Sequence, residues 1–407
     1  MSAHRIVFVE ASIGGVVGGS LTGILHLLER IDRTRFAPSL VLYEEKPVAD
    51  ELRASGIPVH VLPPLPGPTA DASRDRSRLT RAVRRLGDLL QVVRPRARAL
   101  MDVFERERPA LVYLCNGLTA NLDGVLAAAR CGLPVICHEK GFRRVGPAER
   151  LLSRWIDTSV GMTDEITEYY RSRHVRARRF LTILDGIDCT QFGPGGGAAI
   201  RREFCIPPAA PLVGIVGHIQ EWKGQMVVAE AVAQARVRFP ELRCLMVGGV
   251  HRQGEAYGEA LRARIAAPDL AGHVILTGAR RDVSACLDAM DVAIHSSTSP
   301  EPFGRVMIEA MALGRPVIAP REGGPIVIVV DGETGLLVPP RDPGGLAAAI
   351  AQLVGDPQRR LAMGRAARAR VDAVFDIRHH VAAVEALFDD VLGLQQRPTA
   401  VAGKAVA

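Results

Sequence analysis

One pattern limits the fold more than any other. Short apolar runs alternate with helix-length amphipathic segments, and the alternation happens twice along the chain. The first series has runs at 5–9, 39–42, 58–62, 110–114 and 134–137. The second has them at 212–216, 243–247, 274–277, 292–295, 317–319 and 335–338. Runs this short and this continuously apolar read as strands buried on both faces. The segments between them with helical periodicity, such as 21–30 and 225–238, read as covering helices. The expectation is an α/β protein with two doubly wound lobes, each built on a parallel sheet. Between the two series, residues 193–197 collapse to Gly-Pro-Gly-Gly-Gly, a linker signal. The predicted organisation is an N-terminal lobe at 1–192, a second lobe at 198–375, a C-terminal helix at 376–393 and a flexible tail at 394–407. Lobes of this kind bind ligands beyond the carboxyl ends of their strands, so the expected site lies in a cleft.

Composition narrows the functional classes. The 407 residues are 48% hydrophobic and 23% charged, which excludes wholesale disorder. Aromatics make up only 4%, which argues against a single-strand nucleic-acid binder built on base stacking. The net charge is +7, and only four of the 51 basic residues are lysine (Lys46, Lys140, Lys223 and Lys404). Residues 1–192 hold 28 basic and 22 acidic side chains, against 23 and 22 in 193–407. The excess therefore belongs to the first lobe, and no nucleic-acid partner is needed to explain it. Nine arginines crowd residues 74–98, where Leu79, Val83, Leu86, Leu90 and Val93 recur at helical spacing. Two readings stand for this segment: attachment to an anionic membrane surface, or an ordinary surface helix packed on the lobe. Seven scattered cysteines without metal-type spacing read as reduced thiols. With no run of the ~18 apolar residues a spanning helix needs, the expected location is cytoplasmic, with peripheral attachment at the inner membrane face open.

Two segments carry chemistry. Residues 296–310 (SSTSPEPFGRVMIEA) follow a strand and run into an apolar helix beginning near residues 304–306. A helix start presents unpaired amides and partial positive charge, which suits a phosphate. Glu301 precedes it and Glu309 lies inside it, and a carboxylate can accept hydrogen bonds from two vicinal hydroxyls. Residues 217–225 (GHIQEWKGQ) also follow a strand and precede a helix, and place Lys223 on a glycine-bounded loop where it can reach a phosphate oxygen. Taken alone, each residue has a plain structural reading as a solvated or salt-bridged side chain.

Together these motifs resemble the family 4 retaining glycosyltransferases of the GT-B fold. The Glu301–Glu309 spacing, set in Pro300-Glu301-Pro302-Phe303-Gly304, looks like their signature. The blocks 312–319, 323–325 and 331–340 match in order, as does Asp185-Gly186-Ile187-Asp188. The resemblance implies two Rossmann-like lobes facing a cleft, with the C-terminal helix crossing back to the first. It implies a metal-independent hexosyltransferase-type enzyme, a UDP- or GDP-sugar donor, and a saccharide or lipid-linked acceptor. By position, Glu309 would hold ribose hydroxyls, while Glu301, with the backbone of Phe303 and Gly304, would hold the donor sugar. Lys223 and the amides of Val306 and Met307 would carry the diphosphate, and Arg281 to Val283 would face the base. Gly18 and Gly19 would let backbone approach donor and acceptor, and His138 matches an active-site histidine.

The chain departs from the pattern at His218, where arginine is usual, and Arg305 is the expected substitute charge beside the phosphate turn. Val327 and Asp185 also differ from the usual residues. No Asp-x-Asp triplet occurs, so no metal clamp and no cofactor are expected. The competing readings are a sugar-nucleotide epimerase or phosphorylase of the same fold, and a non-catalytic glycan-binding subunit. A dinucleotide oxidoreductase is disfavoured, because Gly14-Gly15-Val16-Val17-Gly18-Gly19 lacks the required glycine spacing.

Overall fold

A computed structural model describes residues 3–13, 19–64 and 89–394. The chain forms two units, one of residues 1–183 and 380–407, the other of residues 184–379.

The first unit is built on β1 (His4–Glu10), β2 (Phe36–Leu42), β3 (Val59–Val61), β4 (Leu111–Leu114), β5 (Val135–Glu139), β6 (Thr158–Gly161) and β7 (Arg179–Thr182). The order is β3-β2-β1-β4-β5-β6-β7, parallel throughout. The apolar runs identify β1 to β5 but not β6 or β7. Strand β6 reads Thr-Ser-Val-Gly, and its burial comes from the helix Asp164–Ser172 packed on it. A Cβ on Gly161 would lie 2.3 Å from Thr167 Oγ1, so glycine is what permits that approach. Strand β7 is the sheet edge and is largely half-buried, which explains its mixed composition.

The final helix, Ile377–Leu392, enters the first unit's core. Phe388 is fully buried, with ring centroids 5.4 Å from Phe36, 5.8 Å from Tyr113 and 6.2 Å from Phe8. All three pairs are edge-on, the arrangement aromatic quadrupoles favour. The scarce aromatics are thus concentrated where the returning helix docks.

The second unit is built on β8 (Leu212–Val216), β9 (Arg243–Val247), β10 (Val274–Gly278), β11 (Val292–Ile294), β12 (Val317–Pro320) and β13 (Gly335–Val338). Its order is β10-β9-β8-β11-β12-β13, again parallel. The chain runs outward from β8 to β10 and then returns to β11 on β8's other side. The loops after β8 and β11 therefore diverge at the switch point, where such sheets bind ligands.

Two expectations change. The glycine run at 193–197 is not the joint between units, because the chain divides at Ile183 and Leu184. Gly195 and Gly197 donate their amides to Asp288 Oδ2 at 2.9 and 2.8 Å. A Cβ on Gly196 would sit 2.6 Å from Ala285 Cβ, and one on Gly197 would sit 2.6 Å from Ala289 N. These glycines let the helix Gly197–Glu203 press against the helix Val283–Ala289. The arginine-rich segment is the second case. Arg74, Arg76, Arg78, Arg81, Arg84 and Arg85 lie outside the described residues. Its remainder enters the helix Arg94–Glu107, which buries Ala97, Leu100, Val103 and Phe104, and Arg96 stacks over Tyr43 at 4.9 Å. The described part is an ordinary packed helix.

Among the described residues, no helix is long and apolar enough to cross a membrane. All seven cysteines are unpaired thiols.

Candidate active site

The loop after β8 and the loop after β11 are tied together before any ligand is considered. Thr298 donates its amide to Trp222 O at 2.8 Å, and Ser296 Oγ donates to the carbonyls of Lys223 and Gly224, both at 3.0 Å. Gly224 has φ +70, and a Cβ there would lie 2.0 Å from Ser296 O. Glycine is required on both counts, conformation and contact. This seam brings Lys223 to the second loop.

Lys223 Nζ donates to Glu301 Oε2 at 2.8 Å and stands 3.9 Å from the centre of the Trp222 ring. The same carboxylate oxygen accepts from Ser297 Oγ at 2.9 Å and lies 3.3 Å from His295 Nε2. Ser297 Oγ and His295 Nε2 are 3.0 Å apart. Burial by itself would raise the Glu301 carboxyl, but the hydrogen bond and charge of His295, followed by Lys223, outweigh it. The carboxyl is held well below its usual range, so Glu301 is an anion at neutral pH. His295 and Ser297 are the side chains of this cluster that sequence reasoning missed. The only available signal was their place just beyond β11.

The turn leading into the helix Arg305–Ala312 is shaped by Gly304, at φ +100, and by the buried Phe303. Gly323 and Gly324 press on it: a Cβ on Gly324 would lie 2.3 Å from Phe303 O, and the Gly324 amide donates to Glu301 O at 2.7 Å. The helix starts at Arg305, as the sequence predicts. Its first-turn amides are not all open, since Met307 N donates to Gly304 O at 2.9 Å. Val306 is half-buried in the same turn. Glu309 is half-buried, and burial pushes its carboxyl up while Arg305 pulls it down. Arg305 itself does not point its charge outward. Its Nη1 donates to Gly186 O at 2.9 Å and to Asp185 Oδ2 at 3.2 Å. The expected substitute for a missing phosphate cation is therefore engaged by the 185–188 segment. That segment is held in turn by Ile187, whose amide donates to Phe375 O at 2.9 Å.

The remaining expected residues are more dispersed. His218 is exposed and meets His251 edge-on at 5.9 Å. Arg281 is exposed ahead of the helix Val283–Ala289, whereas its neighbour Arg280 is locked onto Glu203 and Asp282. Gly18 lies outside the described residues, and Gly19 is the first residue of the helix Gly19–Arg30.

In the first unit, His138 is buried at the end of β5. Its Nδ1 is 2.5 Å from Tyr113 Oη, and its Nε2 is 3.3 Å from Lys140 Nζ. An ammonium can only donate, so Nε2 accepts and Nδ1–H donates to the tyrosine. The ring also stacks on His380 at 6.1 Å. The next residue, Glu139, is buried and accepts from the Leu118 amide at 3.1 Å. Burial pushes its carboxyl up to about 7. An acid raised in the folded state costs stability as pH climbs from its unfolded value through its folded one. Glu139→Gln should therefore remove a loss on the order of 3 kcal/mol between about pH 4.5 and 7. Thermal unfolding at pH 5 and pH 8 checks this, and an unchanged pH dependence in the variant would contradict it.

Comparisons with known proteins bear on the family and the fold. Residues 198–370 match the family described as Glycosyl transferases group 1, and residues 18–186 match the Glycosyl transferase 4-like domain. The chain belongs to the group 1 glycosyltransferases. A D-inositol 3-phosphate glycosyltransferase of Corynebacterium kroppenstedtii is 37% identical over 54% of this chain and 49% of its own length. A second such enzyme, from Catenulispora acidiphila, is 36% identical over 50% of this chain and 49% of its own. The match thus spans about half the length of these curated relatives. Among solved structures, Anabaena HepE in complex with UDP and glucose has a TM-score of 0.78 at 22% identity, covering 95% of this chain and all of that one. The sucrose-phosphate synthase of Thermosynechococcus elongatus has a TM-score of 0.77 at 21% identity, covering 96% of this chain and 100% of its own. These structural likenesses establish the GT-B fold for this group 1 glycosyltransferase.

Proposed function

We propose that the chain transfers a sugar from a nucleoside diphosphate sugar to an acceptor hydroxyl with retention of configuration, in the assembly of a surface polysaccharide or glycolipid. The observation that carries this reading is the Lys223–Glu301 pair at the β8/β11 switch point, just ahead of the helix that holds Glu309. A carboxylate ionised at neutral pH suits sugar hydroxyls as an acceptor-only group. The adjacent ammonium has three donors, so it can keep Glu301 and still meet a diphosphate oxygen. Glu309 is the candidate for the ribose hydroxyls. The glycosyltransferase names of the curated relatives support transfer over epimerisation or phosphorolysis. The UDP-glucose complex of HepE supports UDP as the base to test first.

In this reaction the bond from the anomeric carbon to the phosphate oxygen breaks, and the diphosphate leaves with the electron pair. The acceptor oxygen bonds to the anomeric carbon from the same face and gives its proton to a diphosphate oxygen. Lys223 and the partial charge of the helix start stabilise the leaving group. Because a diphosphate oxygen takes the acceptor's proton, His138, whose ring nitrogens face Tyr113 and Lys140, is given no proton-transfer step.

The test begins with thermal shifts in UDP, GDP and NAD, then donor turnover with and without added acceptor, D-inositol 3-phosphate included. Stabilisation by UDP or GDP and turnover that persists in a chelator are expected. Stabilisation by NAD alone, or loss of turnover in chelator, would overturn the class or its metal-free chemistry respectively. Glu309→Ala should weaken nucleotide binding by about 10- to 100-fold, as read by calorimetry.

A further inference from the structure

The first unit carries an outward face whose composition opposes what water selects. The chain from the helix Pro147–Leu152 through the turn Ser153–Trp155 buries Leu152, Ser153 and Ile156. Its other face presents Arg150, Leu151, Arg154 and Trp155, spaced three to four apart as pairs on one side of a helix. Leu151 is 53% exposed and Trp155 37% exposed. Arginines surround them. Arg154 stacks over the Trp155 ring at 4.4 Å, and Arg150 Nε donates to Arg173 O at 3.0 Å. The Arg176 amide donates to Ser153 Oγ at 2.8 Å. Those bonds hold the segment at 173–176 beside the 147–155 stretch, where Arg173 and Arg176 are exposed, Arg173 over the Tyr169 ring at 5.0 Å. Against Arg150, Arg154, Arg173 and Arg176 stands Glu149, half-buried on the same helix, while Asp157 is paired with Arg178 at 3.1 Å.

We infer that this patch docks the protein on an anionic lipid surface. A cationic rim complements anionic headgroups. The indole and the leucine at its centre suit the boundary between headgroups and acyl chains, where amphipathic rings settle. A polyphosphate or nucleic-acid site would need the arginines but not the exposed leucine. The patch includes none of the residues at 74–98 and none of those proposed to bind the donor.

The chain holds two tryptophans, so Trp222→Phe leaves Trp155 as the sole indole reporter. In full-length protein carrying that change, vesicles of phosphatidylcholine with phosphatidylglycerol should shift the emission to the blue, and phosphatidylcholine alone should not. In flotation assays on the otherwise native chain, Arg150→Gln with Arg173→Gln should weaken binding by about 20-fold or more, at roughly fivefold per arginine. Leu151→Ser with Trp155→Ser should weaken it as well, with the thermal midpoint unchanged. Absence of binding to anionic vesicles at low salt would overturn the inference. So would binding that neither pair of substitutions reduces, or binding that the arginine pair reduces and the apolar pair leaves intact, which would mark a polyanion site.

Discussion

Replacing Lys223 with alanine is expected to lower turnover of the sugar nucleotide by about two to three orders of magnitude. Lys223 donates to the Glu301 carboxylate at 2.8 Å at the β8/β11 switch point, and Arg305, the other expected cation, is engaged by Asp185 and Gly186. A leaving diphosphate would then develop charge without its fixed countercharge. The fold should survive, because Glu301 keeps Ser297 and His295 as partners. Removing one partner of a largely buried carboxylate still costs about 1–3 kcal/mol. That cost has a definite pH dependence. Glu301 has a folded pKa below its ordinary value, so the pair's contribution is present above the unfolded carboxyl range and fades as pH falls toward the lower folded value. The stability gap between parent and variant should therefore narrow in acid. Turnover measured at saturating donor separates the two effects, since a purely structural lysine would leave it unchanged in the folded fraction. Unimpaired turnover would remove Lys223 from the reaction.

Phe388→Ala is expected to destabilise the protein by about 3–5 kcal/mol, the largest single loss we anticipate. The ring is fully buried against Phe8, Phe36 and Tyr113, so its truncation leaves a cavity. Its removal also loosens the helix Ile377–Leu392, which carries further anchors to the first unit: Asp389 accepts from Arg35 at 2.5 Å and Glu385 accepts from the Asp32 amide at 2.7 Å. Denaturant unfolding followed by the two units' separate signals should show the first unit melting earlier and the second nearly unchanged. The same variant places Tyr113 at risk, and with it the His138 ring that donates to it. A loss below about 1 kcal/mol would mean that the returning helix is an accessory and not part of the core.

Much of this architecture was legible in advance because it rests on local periodicity. Strands β1 to β5 and β8 to β13 announce themselves as short apolar runs, and in the interior strands burial on both faces leaves no room for polar alternation. The glycine at 304 and the helix beginning at Arg305 were equally legible, because a left-handed turn before an amphipathic run has few solutions. Strand β6 was not legible. Thr-Ser-Val-Gly is buried by a helix that glycine allows to approach, and an apolar count cannot see that. The glycine run at 193–197 was misread for the same reason: composition reports conformational freedom, whereas the contacts with Ala285 and Asp288 report close packing.

The sequence by itself determined the fold class and the family, and it singled out Glu301, Glu309 and Lys223 as candidates, because these readings rest on local patterns along the chain. The tertiary structure decided which of them touch. Lys223 and Glu301 lie 78 positions apart and meet because β8 pairs with β11, placing Val292 beside Val213 and bringing the two following loops together. His295 and Ser297 join them only in that geometry. Arg305 turns away from the phosphate turn because Asp185 and Gly186 are nearer. Electrostatic partners follow from distance in space, and distance across a parallel sheet is set by strand order, which no local pattern encodes.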